Sequence, residues 1–115
     1  MDSDCIFCRI VAGAIPADIV RQDEVTLAFR DLNGQAPTHI LVIPKQHHRT
    51  IADLAEADPS TLADLYAAAT EVAFDEGLAE DGYRLVVNTG RNGGQTVDHV
   101  HVHLLGGRPM AWPPG

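Results

Sequence analysis

His99-Val100-His101-Val102-His103-Leu104-Leu105 is the stretch on which the reading of the whole chain turns. Along a strand, successive side chains point to opposite faces. The three histidines therefore share one side, while Val100, Val102 and Leu104 share the other. One face belongs to a core and the opposite face is a row of three imidazoles. A histidine-bearing solvent face is the plain alternative, but strict alternation inside an otherwise apolar segment is a rare accident. Two chemical uses fit such a row. The imidazoles can hold a divalent metal together, or they can divide labour, with one acting as nucleophile.

The residues directly upstream favour divided labour. In Asn88-Thr89-Gly90-Arg91-Asn92-Gly93-Gly94-Gln95-Thr96, the turn at Gly93-Gly94 lets the backbone approach an oxyanion, and Asn88, Gln95 and Thr96 offer neutral donors. A phosphate cradle would thus lie beside the histidine row. A glycine pair on its own is usually only a turn.

Working outward, Cys5 to Val11 reads as a short helix ending near Gly13, with Ser3 or Asp4 as its N-cap, and Pro16 enforces an extended exit. Ile19 to Gln22 and Val25 to Asp31 read as paired strands around an Asp23-Glu24 turn, with Val25, Leu27 and Phe29 toward one side. His39 to Pro44 is apolar enough for a central third strand. Thr50 caps a short helix through Leu54 and Ala57. One long helix opens on Asp58 and Pro59, carries Leu62, Leu65, Ala69, Val72 and Ala73 on a single stripe, and stops at Gly77. Tyr83 to Asn88 gives a fourth strand and His99 to Leu105 a fifth. The expected architecture is α+β, with a five-stranded, largely antiparallel sheet, one long helix and short ones.

Bulk properties limit what such a fold does. With 115 residues and 45% hydrophobic content, the chain is expected to form a single domain over 1–115. Sixteen acidic residues against seven Arg and Lys45 give a net charge of −8, which disfavours a nucleic-acid or anionic-membrane surface. An anionic substrate would have to be held locally, by histidines and backbone N–H groups. No apolar run approaches the roughly 20 residues that span a bilayer, and Met1-Asp2-Ser3-Asp4 does not open a secretory signal, so the cytoplasm is the expected compartment. There Cys5 and Cys8, spaced C-x-x-C, point to a metal site or a redox pair rather than a structural disulfide. A thioredoxin-like pair would follow a strand, and none precedes this one.

Taken together, these segments resemble the histidine triad (HIT) superfamily, whose defining His-φ-His-φ-His-φ-φ element matches His99 to Leu105. The closest resemblance is to its nucleotide-binding (HINT) branch, and it covers nearly the whole chain. It is carried by Ile6-Phe7, Ile15-Pro16-Ala17, Leu27-Ala28-Phe29-Arg30-Asp31, Gln35-Ala36-Pro37-Thr38-His39, Val42-Ile43-Pro44-Lys45, Gly82-Tyr83-Arg84, Gly93-Gly94-Gln95, Leu105-Gly106-Gly107-Arg108 and Trp112-Pro113-Pro114-Gly115.

The resemblance implies a HIT-like fold, a homodimer whose two sheets join into one, and a purine nucleoside monophosphate or its phosphoramidate in each protomer. It implies phosphoramidate hydrolysis through a nucleotidyl-histidine on His101, with His39 and His103 assisting and His99 completing the triad. Asp31 would bind the ribose. Asn88, Gln95 and Thr96 would hold phosphate oxygens, with the backbone at Gly94 and Val102 close by. Ile6, Phe7, Ile10, Phe29 and Leu32 would line the base slot, although each fits an ordinary core equally well. Trp112 would pack beside the leaving group of the partner protomer. The zinc-bearing members imply a structural zinc on Cys5, Cys8, His47 and His99, with His48 adjacent to the third ligand.

Some positions depart from the pattern. Thr96 stands where animal members have Ser, Ala111 replaces a His before Trp112, and the two cysteines match bacterial rather than animal members. A dinucleoside polyphosphate hydrolase and a non-catalytic nucleotide-binding protein on the same fold remain as competing functions. Gly106-Gly107-Arg108 and the Trp112 ending favour the phosphoramidase branch over the first, and the intact His39, His101 and His103 favour catalysis over the second.

Overall fold

The computed structural model describes residues 4–115. Its elements run α1 (Ile6–Val11), β1 (Ile19–Gln22), β2 (Thr26–Arg30), β3 (Thr38–Pro44), α2 (Ile51–Ala57), α3 (Pro59–Asp75), β4 (Tyr83–Val86), α4 (Gly90–Gly93) and β5 (Val102–Gly106). The five strands form one sheet in the order β1-β2-β3-β5-β4, and every neighbouring pair is antiparallel. None of the described helices is long and apolar enough to cross a membrane.

Local chemistry explains the elements. Asp23 closes the β1–β2 hairpin by accepting from the Val25 and Thr26 N–H groups at 2.8 and 2.7 Å. The Thr26 N–H bond and then the Val25 N–H bond hold its carboxyl below the usual carboxylate range. Asp58 caps α3, accepting from the Thr61 N–H at 3.2 Å and the Thr61 hydroxyl at 2.6 Å, with Pro59 at the first helical position. The apolar stripe of α3 then lies across β2, β3 and β5.

The sheet separates two apolar clusters. On the α3 side, Ile40, Val42, Val100, Val102 and Leu104 pack with Leu54, Leu65, Ala69 and Val72. On the α1 side, Leu27, Phe29, Leu41 and Ile43 pack with Phe7, Cys8 and Ile10. β3 is buried on both faces, as its unbroken apolar run requires. Val42 pairs with Val102 and Leu41 with His103, so the register that sends the valines toward α3 sends His101 and His103 toward α1.

Several boundaries differ from expectation. The N-cap of α1 is Cys5, whose Sγ accepts from the Cys8 N–H at 3.4 Å. Asp4 is therefore not the cap, and Ser3 lies outside the described residues. β2 is one residue shorter at each end than Val25–Asp31, and β4 stops at Val86 rather than Asn88. The Gly93-Gly94 turn is the end of a single helical turn, α4, with Gly94 left-handed at φ 80°. The ladder of β5 begins at Val102 instead of His99, because the Val100 N–H is taken by the His48 carbonyl at 2.8 Å rather than by a strand.

Candidate active site

The histidine strand enters the sheet with its imidazoles already committed. His101 is buried, and its Nδ1 lies 2.8 Å from the carbonyl of His99. A carbonyl only accepts, so Nδ1 carries the proton and Nε2 keeps the lone pair. The edge of Phe7 sits against the ring, with centroids 5.2 Å apart. His103 follows on the same face, 4.9 Å from His101 between ring centroids. Its Nδ1 is 2.9 Å from Nε2 of His39 on β3, and Asp31 Oδ2 is 3.5 Å from that same Nε2.

Burial keeps these imidazoles neutral. It pushes His103 down to about 4, reinforced by His101 and His39 and opposed by Asp31. Burial likewise lowers His101, against the bond to the His99 carbonyl and the Asp31 charge, and lowers His39 against Asp31. A neutral imidazole with a defined lone pair is a nucleophile that needs no deprotonation.

Beside this row lies a cleft of about 170 Å³ walled by Ile6, Phe7 and Ile10 of α1, by Phe29, and by Asp31 and Leu32 at its mouth. All six were singled out from sequence, and the structure brings them together. Phe7, Ile10 and Phe29 are buried in the α1-side cluster and also line the cleft, so core and slot coincide, whereas Leu32 is 99% exposed at the rim. Pro16, Ala17 and Leu41 line the same cleft and were missed. Leu41 was recoverable, because it alternates with Ile40 and Val42 and must face α1.

Other expected residues are placed less simply. The Gln95 side chain braces its own loop, accepting from the Gly90 N–H at 3.0 Å and donating to the Arg49 and Val97 carbonyls at 2.6 and 3.0 Å. The backbone of Asn88 runs beside Gly93, 3.8 Å from where a Cβ there would stand. Thr96 opens onto a second hollow together with Cys5, Ile6 and His47. Gly94 is exposed and Val102 fully buried in β5. Trp112 is 82% exposed and does not line the cleft of its own chain. The tail is tied to β4 by Arg84, which donates to the Ala111 carbonyl at 3.0 Å.

Behind the histidine row is a candidate metal centre. One ligand atom from each of Cys5, Cys8, His47 and His99 lies within 4.8 Å of the others, and no disulfide joins the two cysteines. Cys5 Sγ is 3.3 Å from His99 Nδ1, while Cys8 Sγ is 3.3 Å from His47 Nδ1 and 3.6 Å from His99 Nδ1. Zinc bonds of roughly 2.0–2.3 Å put tetrahedral ligand atoms about 3.3–3.8 Å apart. His99 Nε2 donates to the Pro44 carbonyl at 2.8 Å, which leaves Nδ1 as the lone-pair atom facing the sulfurs. Burial, ahead of every other influence, holds His99 down to about 4, so its ligating form persists into acid. The four residues fit a closed, structural zinc site, and His48 is not part of it.

The sequence and the fold are similar to those of known proteins. Residues 12–110 match the HIT domain family. The chain is 49% identical to the purine nucleoside phosphoramidase of Escherichia coli K12 over 96% of its length and 92% of that protein. It is 53% identical to the 14 kDa zinc-binding protein of Zea mays over 99% of its length and 90% of that protein. Its backbone superimposes on the HIT family hydrolase of Legionella pneumophila Philadelphia 1 with a TM-score of 0.93 at 54% identity, covering 96% of this chain and 99% of that one.

Proposed function

The chain belongs to the HIT domain family, and from that premise we propose that it is a purine nucleoside phosphoramidase, hydrolysing the P–N bond of nucleoside 5′-phosphoramidates through His101. The observation that carries the reading is the bond from His101 Nδ1 to the His99 carbonyl, which presents a neutral Nε2 lone pair beside a largely apolar cleft of about 170 Å³. Nε2 attacks the α-phosphorus, the P–N bond breaks, and the amine leaves with a proton gained from the site. Water then attacks the nucleotidyl-histidine, its hydroxyl bonding to phosphorus as the P–Nε2 bond breaks and its other proton replacing the one the amine took, which gives the nucleoside monophosphate and regenerates His101. Positioning and charge stabilisation supply most of the acceleration in such transfers.

In this scheme Ile6, Phe7, Ile10, Phe29 and Leu32 hold the base, and Asp31 accepts from the ribose. Asn88, Thr96 and the backbone at Gly94 approach the phosphate, Gln95 supports them by holding the loop, and the expected contact from Val102 drops out because that residue is sealed inside β5. Zinc, when bound, supplies a crosslink between α1 and the histidine strand and takes no part in the chemistry. We further infer one domain over 1–115, a homodimer in the cytoplasm, and a tail whose Trp112 serves the partner's leaving-group side. β4 lies at the sheet edge, so its outer ladder groups are open to a second copy.

The test is incubation with adenosine 5′-phosphoramidate and with diadenosine polyphosphates side by side. Hydrolysis of the phosphoramidate supports the reading. Hydrolysis of the polyphosphates alone reassigns the chain to a dinucleoside polyphosphate hydrolase, and inertness toward both makes it a nucleotide-binding module.

A further inference from the structure

Phosphoramidase chemistry as derived so far leaves Arg108 without a task. Gly107 has a φ of +90°, and a Cβ there would lie 2.8 Å from Pro37 Cβ, so the exit of β5 presses directly on the loop between β2 and β3. The contact delivers Arg108 to that loop. Its Nη2 donates to the Gln35 carbonyl at 2.9 Å and its Nη1 to the Pro109 carbonyl at 3.1 Å. The Gln35 amide nitrogen lies 3.0 Å from Nδ1 of His39. From its other end, the loop is held by the Asn33 N–H on Asp31 Oδ1 and by Gln35 Nε2 on the Asn33 carbonyl, both at 2.8 Å.

The direction of these bonds has a chemical consequence. A main-chain N–H donates and never accepts, so His39 Nδ1 must carry the lone pair and its proton must sit on Nε2. That N–H donates to His103 Nδ1 at 2.9 Å. His103, being neutral, then carries its own proton on Nε2, an atom that is buried and has no partner among the described residues. A buried donor left unpaired is destabilising, so it is the kind of group a binding site holds for an incoming acceptor.

We propose that Arg108 and the Gln35 amide are positioning residues that set the tautomer of His39 and, through it, of His103, so that His103 Nε2–H stands as a fixed donor to a phosphoryl oxygen of the substrate. The proposal rests on the phosphoramidase reading for its acceptor, while the tautomers themselves are independent of it. Neither Arg108 nor Gln35 lines the cleft. Together they fix which nitrogen of His39, four residues along the chain from Gln35, bears hydrogen, without a proton being transferred.

The test combines ¹⁵N-histidine NMR of the full chain with steady-state kinetics on adenosine 5′-phosphoramidate. In the wild type, His39 and His103 should both be Nε2–H tautomers, and an Nδ1–H form of either overturns the proposal without any variant. Gln35→Pro deletes the N–H, whereas Gln35→Ala retains it and should keep the wild-type tautomers. Gln35→Pro should give mixed tautomers at both histidines and lower kcat about tenfold with KM within about twofold, as loss of an aligned transition-state donor does. Arg108→Met should shift the same signals to a lesser degree, and Arg108→Lys should restore them in part. Unchanged tautomers and kcat in folded Arg108→Met protein overturn the proposal, even if Gln35→Pro does not fold. Wild-type protein with the expected tautomers but no phosphoramidate turnover would instead count against the proposed activity, and would leave His103 without its phosphoryl acceptor.

Discussion

The side chain of His101 and the main chain of His99 meet at 2.8 Å, Nδ1–H on carbonyl, so the residue that faces the cysteines with its imidazole orients the nucleophile with its backbone. In the proposed reaction His101 contributes a transition-state bond and little ground-state contact. Replacement His101→Ala should therefore lower kcat on adenosine 5′-phosphoramidate by about 10⁴ or more, with AMP affinity within about threefold by calorimetry. Residual turnover well above that level would mean that another group is the nucleophile.

Protein purified without added metal should contain about one zinc per chain by elemental analysis, as a closed four-ligand site requires. Chelation, or Cys8→Ala, should lower Tm by about 10 °C. Substoichiometric zinc that leaves without change in Tm would remove the site from the account.

His103 stays neutral in the fold down to about 4 because it is buried beside His101 and His39, whereas an unfolded histidine protonates near 6.5. Between those values the unfolded chain binds the extra proton, so stability falls as pH drops from about 6.5 to about 4, and this group adds no further loss below that. Urea midpoints across that interval should show the decline, with a slope for one such group of at most about 1.4 kcal/mol per pH unit. His103→Gln should flatten the curve. An unchanged slope in the variant would show that His103 does not titrate this way.

Gly107→Ala should cost about 1–3 kcal/mol, because the new Cβ meets Pro37 and the backbone is left-handed there. Denaturant titration measures this directly. A neutral substitution would show that the exit of β5 can move away from the loop.

Deletion of residues 109–115 should reorder kcat/KM among phosphoramidates with different amines while leaving AMP affinity and the oligomeric state nearly unchanged. An identical substrate ranking would make Trp112 a passive end of the chain.

Much of this was readable in the chain because it depends on period and spacing. The two-residue alternation from His99 to Leu104 placed the valines in the core, and Asp58-Pro59 announced α3. The parts that were missed depend on contacts distant in sequence. Cysteine is not a preferred helix cap, and Cys5 holds that position while its sulfur faces His99, 94 residues away. The late start of β5 follows from the His48 carbonyl taking the Val100 N–H. The bond from Arg108 to the Gln35 carbonyl spans 73 residues, and no local pattern announces it. α4 escaped because a glycine-rich segment has low helix propensity. Gln95 was expected on phosphate because its bonds to Arg49 and Val97 cannot be read from composition.

The two apolar layers on either side of the sheet give the protein a division between what holds it and what it recognises. The layer under α3 contains the larger share of the buried residues and none of the cleft walls, while the cleft is cut entirely into the thinner layer under α1. Substitutions at the exposed Ile6 and Leu32 can reshape the proposed base slot at little cost to the packing that keeps the sheet together. Base preference in this scaffold is therefore open to evolutionary drift or to redesign, with the histidine row as the fixed boundary between the two layers.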